Sequence, residues 1–189
     1  MKHFALNGTV REVGNKAVIK AFRKQGLVPC NLYGQGMENV LFTVSEKELN
    51  QVICTPASYI IDLTLSDGKT YPCILHELQF HPVKDNCLHV DFLAVSEDKP
   101  IAIKVPIATT GHPVGVQKGG KFVLNAREIR LSALMKDLPD VVTIDTTELD
   151  IDKRIVAGDV KVENATVISP KGTIICTVKA TRNMVAQAE

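Results

Sequence analysis

Residues 58–78 read SYIIDLTLSDGKTYPCILHEL. Apolar, β-branched and aromatic side chains fill both halves, and Asp67-Gly68 between them supplies the turn of a β-hairpin. On the C-terminal side, CLHVDFLAV (87–95) is another strand, in which Val90 and Phe92 share the face that can bury and His89 and Asp91 share the opposite one. On the N-terminal side, ENVLFTV (38–44) is a strand leading into a helix that carries Leu49, Val52 and Ile53. Ser45 and Glu48 form the S-x-x-E capping box at its start, and Pro56 closes it. FALNGTVREV (4–13) reads as an opening strand ending near Gly14. Between these, Lys16 to Gln25 predicts a short helix with Val18, Ile19 and Phe22 on its apolar side and Gly26 as its C-cap. Pro29 bars the helix from resuming, so a new element starts at NLYG (31–34).

The pattern breaks at SEDKP (96–100), a polar joint ended by proline, which suggests a boundary between a domain over 1–95 and a second over 100–182. The second repeats the strand-rich style in AIKVPIATT (102–110), KFVLNAREIRLSA (121–133), VVTID (141–145), ATVISP (165–170) and GTIICTVKA (172–180). Leu134 to Pro139 and Thr147 to Asp152 are too short for substantial helices. The expected fold is therefore mainly β, with short helices in the first domain, a nearly all-β second domain and a frayed tail over 183–189.

The chain has 189 residues, 45% apolar and 23% charged, the balance of a soluble protein with a core. With 22 Lys and Arg against 21 Asp and Glu, whole-molecule charge steering is excluded. No apolar run approaches the ~20 residues needed to span a bilayer, and the start carries no signal-peptide pattern, so a cytoplasmic location is expected. Five cysteines (30, 54, 73, 87 and 176) include no C-x-x-C pair, which favours small core fillers over a disulfide framework or a zinc knuckle.

Global neutrality hides local charge. Met1 to Tyr33 holds six basic residues and one acidic one, whereas Gly34 to Lys99 holds four basic and ten acidic. Lys16, Lys20, Arg23 and Lys24 fall at helical spacing on one face, where like charges repel and an anionic partner such as phosphate would relieve them. Affinity of that kind comes from counterion release and falls steeply with salt. An ordinary solvated helix face fits the spacing equally well, and a membrane-surface helix is a further alternative, disfavoured because its apolar residues are needed to dock it on the sheet.

A second constellation lies in HELQFHPVKDNCLHVDF (76–92), where His76, Gln79, His81, Lys84, His89 and Asp91 surround two strands and a turn. His81, His89 and Asp91 could ligate a metal, but the spacing fits no zinc pattern, so no metal or other cofactor is expected. Hydrolytic chemistry would want a nucleophile at a strained turn, and no G-x-S-x-G is present. The remaining reading is that the His-Asp pair orders the loop or touches a ligand edge such as a ribose hydroxyl. The glycines of GHPVGVQKGGK (111–121) match no phosphate-loop pattern and more plausibly shape a connection, with Lys118 and Lys121 as incidental phosphate contacts.

NKAVIKAFRKQGLVPCNLYG (15–34), LQFHPVKDNCLHVDFLAV (78–95), VPIATTGHPVGVQKGGK (105–121) and LPDVVTIDTTELDI (138–151) together closely resemble a known family. It is that of bacterial large-subunit ribosomal protein 25, in its longer two-domain form, also called general stress protein Ctc. The resemblance covers nearly the whole chain, Phe4 to about Ala180. It implies a β-barrel-like first domain that binds 5S ribosomal RNA and an all-β second domain. Carried over by position, the RNA-contacting basic residues fall on Lys16, Lys20 and Arg23, the aromatic contact on Tyr33, and the motif's polar positions on Gln79, His81, His89 and Asp91. The family often has arginine at Lys20 and Ala21 and glycine at Asn15; lysine loses the bidentate fork and alanine the contact, a loss for which Arg11 and Lys24 can compensate.

The reading is thus a non-enzymatic constituent of the large ribosomal subunit, monomeric off the ribosome and binding 5S RNA through its first domain. Its second domain would reach neighbouring RNA or protein. A stress-related protein-binding module with weakened RNA affinity is the alternative.

Overall fold

The computed structural model describes residues 2–34, 36–55, 57–96 and 99–181; Pro56 and the segment 183–189 lie outside the described residues. The chain divides into two compact units between Lys99 and Pro100.

The first unit runs β1 (Lys2–Val10), α1 (Lys16–Lys24), β2 (Leu27–Gly34), β3 (Met37–Ser45), α2 (Glu46–Ile53), β4 (Tyr59–Leu65), β5 (Thr70–Phe80) and β6 (Cys87–Ala94). Its strands close into a barrel in the order β1-β3-β2-β6-β5-β4. The β4–β5 hairpin turns where its sequence predicts, with the Gly68 N–H donating to the Leu65 carbonyl at 2.9 Å and Gly68 left-handed at φ +76°. Two parallel pairings complete the closure: β1 beside β4, from Lys2↔Tyr59 to Gly8↔Leu65, and β2 beside β6, from Cys30↔Val90 to Tyr33↔Leu93. Alternation along the strands buries Ile61, Leu63, Val90 and Phe92 in the interior, where the Phe42 and Phe92 ring centroids lie 5.5 Å apart. Leu49 and Val52 of α2 join the same core.

Several local expectations are corrected. The opening strand ends at Val10, short of Gly14, although the Arg11 N–H still donates to the Leu41 carbonyl of β3 at 2.9 Å. Helix α1 ends with Gln25 as its C-cap and Gly26 directly after it, left-handed at φ +74°, the conformation for which glycine was expected there. Pro29 lies within β2, which already starts at Leu27; it precedes the run paired to β6, where a missing N–H does no harm. Ser45 is the N-cap of α2, yet its side chain makes no capping hydrogen bond.

The second unit contains β7 (Ile101–Thr110), α3 (Val114–Gln117), β8 (Lys121–Leu124), β9 (Glu128–Ala133), β10 (Val142–Asp145), β11 (Arg154–Val156), β12 (Thr166–Val167) and β13 (Ile174–Lys179). One sheet has the order β10-β7-β9-β12 and the other β11-β13-β8. The run 121–133 therefore divides between two sheets, and β11 adds a strand that the pattern did not reveal. The glycine-rich connection carries the short α3, and its glycines serve close packing. A Cβ on Gly115 would lie 2.8 Å from the Asp150 carbonyl carbon and the Ile151 nitrogen. Lys118 is engaged at the surface, where its Nζ pairs with the Asp150 carboxylate at 2.8 Å.

Candidate nucleic-acid interface

Asn15 starts α1: its Oδ1 accepts the Val18 N–H at 3.1 Å, a bond that glycine at this position would lack. The basic residues Arg23 and Lys24 occupy the last turn, where they complement the helix dipole. No residue of this nine-residue helix is fully buried. Ile19 and Phe22 are half-buried, but Val18 is 41% exposed, which corrects its expected part in docking. At 3.6 residues per turn, Val18 falls on one flank of the Ile19–Phe22 line and Arg23 on the other.

Arg23 supplies what the apolar face lacks. Its Nε and Nη2 donate to the Leu88 carbonyl at 3.1 and 2.9 Å, fastening α1 to β6 one residue before His89. The side chain expected to meet phosphate thus commits part of its guanidinium to the fold. Lys16, Lys20 and Lys24 are exposed and pair with no carboxylate among the described residues. Arg11 is held at the end of β1, its backbone N–H donating to Leu41 at 2.9 Å and its Nε reaching the Phe42 carbonyl at 3.4 Å.

The barrel's outer wall carries the remaining candidates in cross-strand rows. Asp91 lies opposite Asn31 of β2 and Glu77 of β5, and His89 lies opposite Gln79. His89 Nδ1 is 3.2 Å from Asp91 Oδ1, with the two side chains only 27% and 24% exposed. Burial holds the imidazole below its usual value; Asp91 opposes this, whereas Arg11 and Arg23 push it further down. At neutral pH the ring is therefore uncharged. The tautomer that suits the contact carries its proton on Nδ1, toward Asp91, and leaves Nε2 as an acceptor. Tyr33 packs edge-on to His76 with centroids 6.1 Å apart, and its hydroxyl is 3.1 Å from His76 Nδ1. Burial first, then the Asp91 and Glu77 carboxylates, raise the phenol, so it stays protonated.

His81 turns to its own loop. Its Nδ1 accepts the N–H groups of Val83 and Lys84, both at 3.2 Å, which leaves Nε2 carrying the proton. Among the described residues no three His, Cys, Asp or Glu side chains converge as a metal would require, and no helix is long and apolar enough to cross a membrane. The buried thiols are held un-ionised: burial raises Cys30, Cys87 and Cys176, and pushes Cys73 up to about 12.

Two residues of this wall were missed in the sequence. Glu77 is set opposite Asp91 only by the β5–β6 register, which shifts between Leu75 and Glu77. Asn31, whose Oδ1 is buried without a partner, was legible as the polar residue two before Tyr33 in a period-2 strand.

Comparison with known families matches residues 6–92 to the Ribosomal L25p family and residues 100–182 to the C-terminal domain of ribosomal protein TL5. A protein named large ribosomal subunit protein bL25 from Porphyromonas gingivalis is 39% identical over 182 residues, covering 96% of this chain and 95% of its own length. One of the same name from Bacteroides thetaiotaomicron is 41% identical, covering 96% of this chain and 94% of its own. A third, from Christiangramia forsetii, is 35% identical, covering 98% and 84%. These are structural ribosomal proteins and not enzymes. Matched at this identity over nearly its full length, the chain belongs to the Ribosomal L25p family, in the form that joins the L25p domain to a TL5-type C-terminal domain.

Proposed function

We propose that this protein is a structural constituent of the large ribosomal subunit in the cytoplasm and binds 5S ribosomal RNA with its first domain, residues 1–95. The surface used is α1 together with the outer wall of β2, β6 and β5. The observation that carries this reading is the Arg23–Leu88 tie, which couples a lysine-bearing helix to the strand holding the neutral His89–Asp91 pair. In this assignment Lys16, Lys20 and Lys24 neutralise phosphates, joined by the N–H groups that Arg11 has left, while Arg23 positions the helix through the Leu88 carbonyl. Tyr33 packs against a sugar or base. Gln79 offers an amide, Asp91 and His89 Nε2 offer acceptors, and His81 Nε2–H a donor, a set suited to the 2′-hydroxyls and base edges of a wide, shallow RNA minor groove.

The test spares Arg23, because its loss would disturb the fold. Alanine at Lys16, Lys20 and Lys24 together is expected to weaken 5S RNA binding and to flatten its salt dependence by about 0.7 to 0.9 log units per lost contact. An unchanged slope refutes the phosphate role.

A further inference from the structure

The three-stranded sheet of the second unit is built from β8 (KFVL), β11 (RIV) and β13 (IICTVK), which contain three basic side chains and no acidic one. Register puts all three cations on one face. Lys121 lies directly opposite Lys179, and Arg154 lies opposite Thr177, two residues from Lys179 on the same side of β13. The alternate residues, Cys176 and Val178 with Phe122 and Ile155, form the core on the other face.

Like charges directly opposite each other destabilise a strand pair. Lys121, Lys179 and Arg154 are exposed and have no ion-pair partner among the described residues. The nearest acidic residues in sequence lie outside the strands. Asp152 precedes β11, and the Asp159 carboxylate accepts the Val156 N–H at 3.2 Å, at the end of β11 away from Arg154. Between the cations sit only Val123 and Thr177, both half-buried. With strands about 4.8 Å apart and a rise of about 3.4 Å per residue, Lys179 is roughly 5 Å from Lys121 and roughly 8 Å from Arg154, and the two outer cations are roughly 12 Å apart. The four-stranded sheet also sets two exposed cations opposite each other, Lys104 and Arg130, but there Lys104 lies 3.9 Å from Glu128.

We propose that this face of the second unit is an RNA contact, with Lys121, Arg154 and Lys179 neutralising backbone phosphates of the long ribosomal RNA of the large subunit. Uncompensated cations on one sheet face fit a polyanion better than a protein neighbour of mixed charge. The assignment builds on membership of a ribosomal family and does not depend on the 5S contact of the first unit.

In the full chain, Lys121→Gln, Arg154→Gln and Lys179→Gln together are expected to leave 5S RNA binding unchanged and to reduce the salt dependence of binding to deproteinised long large-subunit RNA. Three lost contacts correspond to roughly a 20- to 40-fold smaller fall in affinity between about 50 and 200 mM salt. The charge-keeping variant Lys121→Arg, Arg154→Lys, Lys179→Arg should behave as wild type. An unchanged salt slope overturns the proposal, as does absence of long-RNA binding by the wild-type chain. Loss of co-sedimentation with the subunit at an unchanged slope also overturns it and assigns the face to a protein partner. Failure of the 5S reading is separately visible as absence of 5S binding in every variant.

Discussion

Replacing Arg23 by methionine removes the guanidinium but keeps an apolar stem, and so tests whether this residue is a fastener or a phosphate ligand. Helices shorter than about 12 to 15 residues are marginal in water. The nine residues of α1 bury none of their side chains completely, so the helix depends on its docking contacts. Two N–H groups of Arg23 converge on the Leu88 carbonyl in a partly buried setting. A hydrogen bond involving a charged group contributes about 1.5 to 3 kcal/mol, equivalent to a factor of roughly 10 to 150 in the opening equilibrium of the helix. Hydrogen exchange should therefore accelerate by that factor at the Ile19 to Gln25 amides, while the amides of Val90 and Phe92 in the barrel keep their protection. Binding to 5S RNA should weaken by no more than the same factor and retain the wild-type salt slope, and Arg23→Lys should fall between the two. Unchanged exchange in α1, together with a slope reduced by about 0.7 to 0.9, would refute the fastening role.

NMR should find His89 titrating below the usual imidazole value of about 6.5, lower still in Asp91→Asn, which removes the opposing carboxylate, and higher in Arg23→Met. Because the unfolded chain then binds the proton more readily, this residue's contribution to stability is complete above about pH 6.5 and is lost as pH falls toward the depressed folded value; a midpoint above 6.5 would contradict the assigned burial. Gly115→Ala should lower the melting temperature of the second unit, since the new methyl meets backbone at Asp150 and Ile151. Overpacking of that kind costs about 1 to 3 kcal/mol, whereas Gly172→Ala, with open space around it, should melt as wild type.

The sequence by itself determined most of the strands, the hairpin at Asp67-Gly68, the basic stripe of α1 and the two faces of β6, because each follows from periodicity or turn chemistry within a few residues. It also carried the family resemblance, and with it the barrel. Only the tertiary structure decided which strands are neighbours. The parallel β1–β4 and β2–β6 pairings join segments far apart in the chain, and no local pattern encodes them. The β2–β6 pairing sets Asn31 beside Asp91, the antiparallel β5–β6 register brings Glu77 to the same place, and the docking of α1 commits part of Arg23 to the Leu88 carbonyl. The same holds in the second unit, where Lys121, Arg154 and Lys179 belong to three separate stretches of sequence. Alternation tells which way a strand's side chains point, but cross-strand register, a long-range property, decides which charges meet.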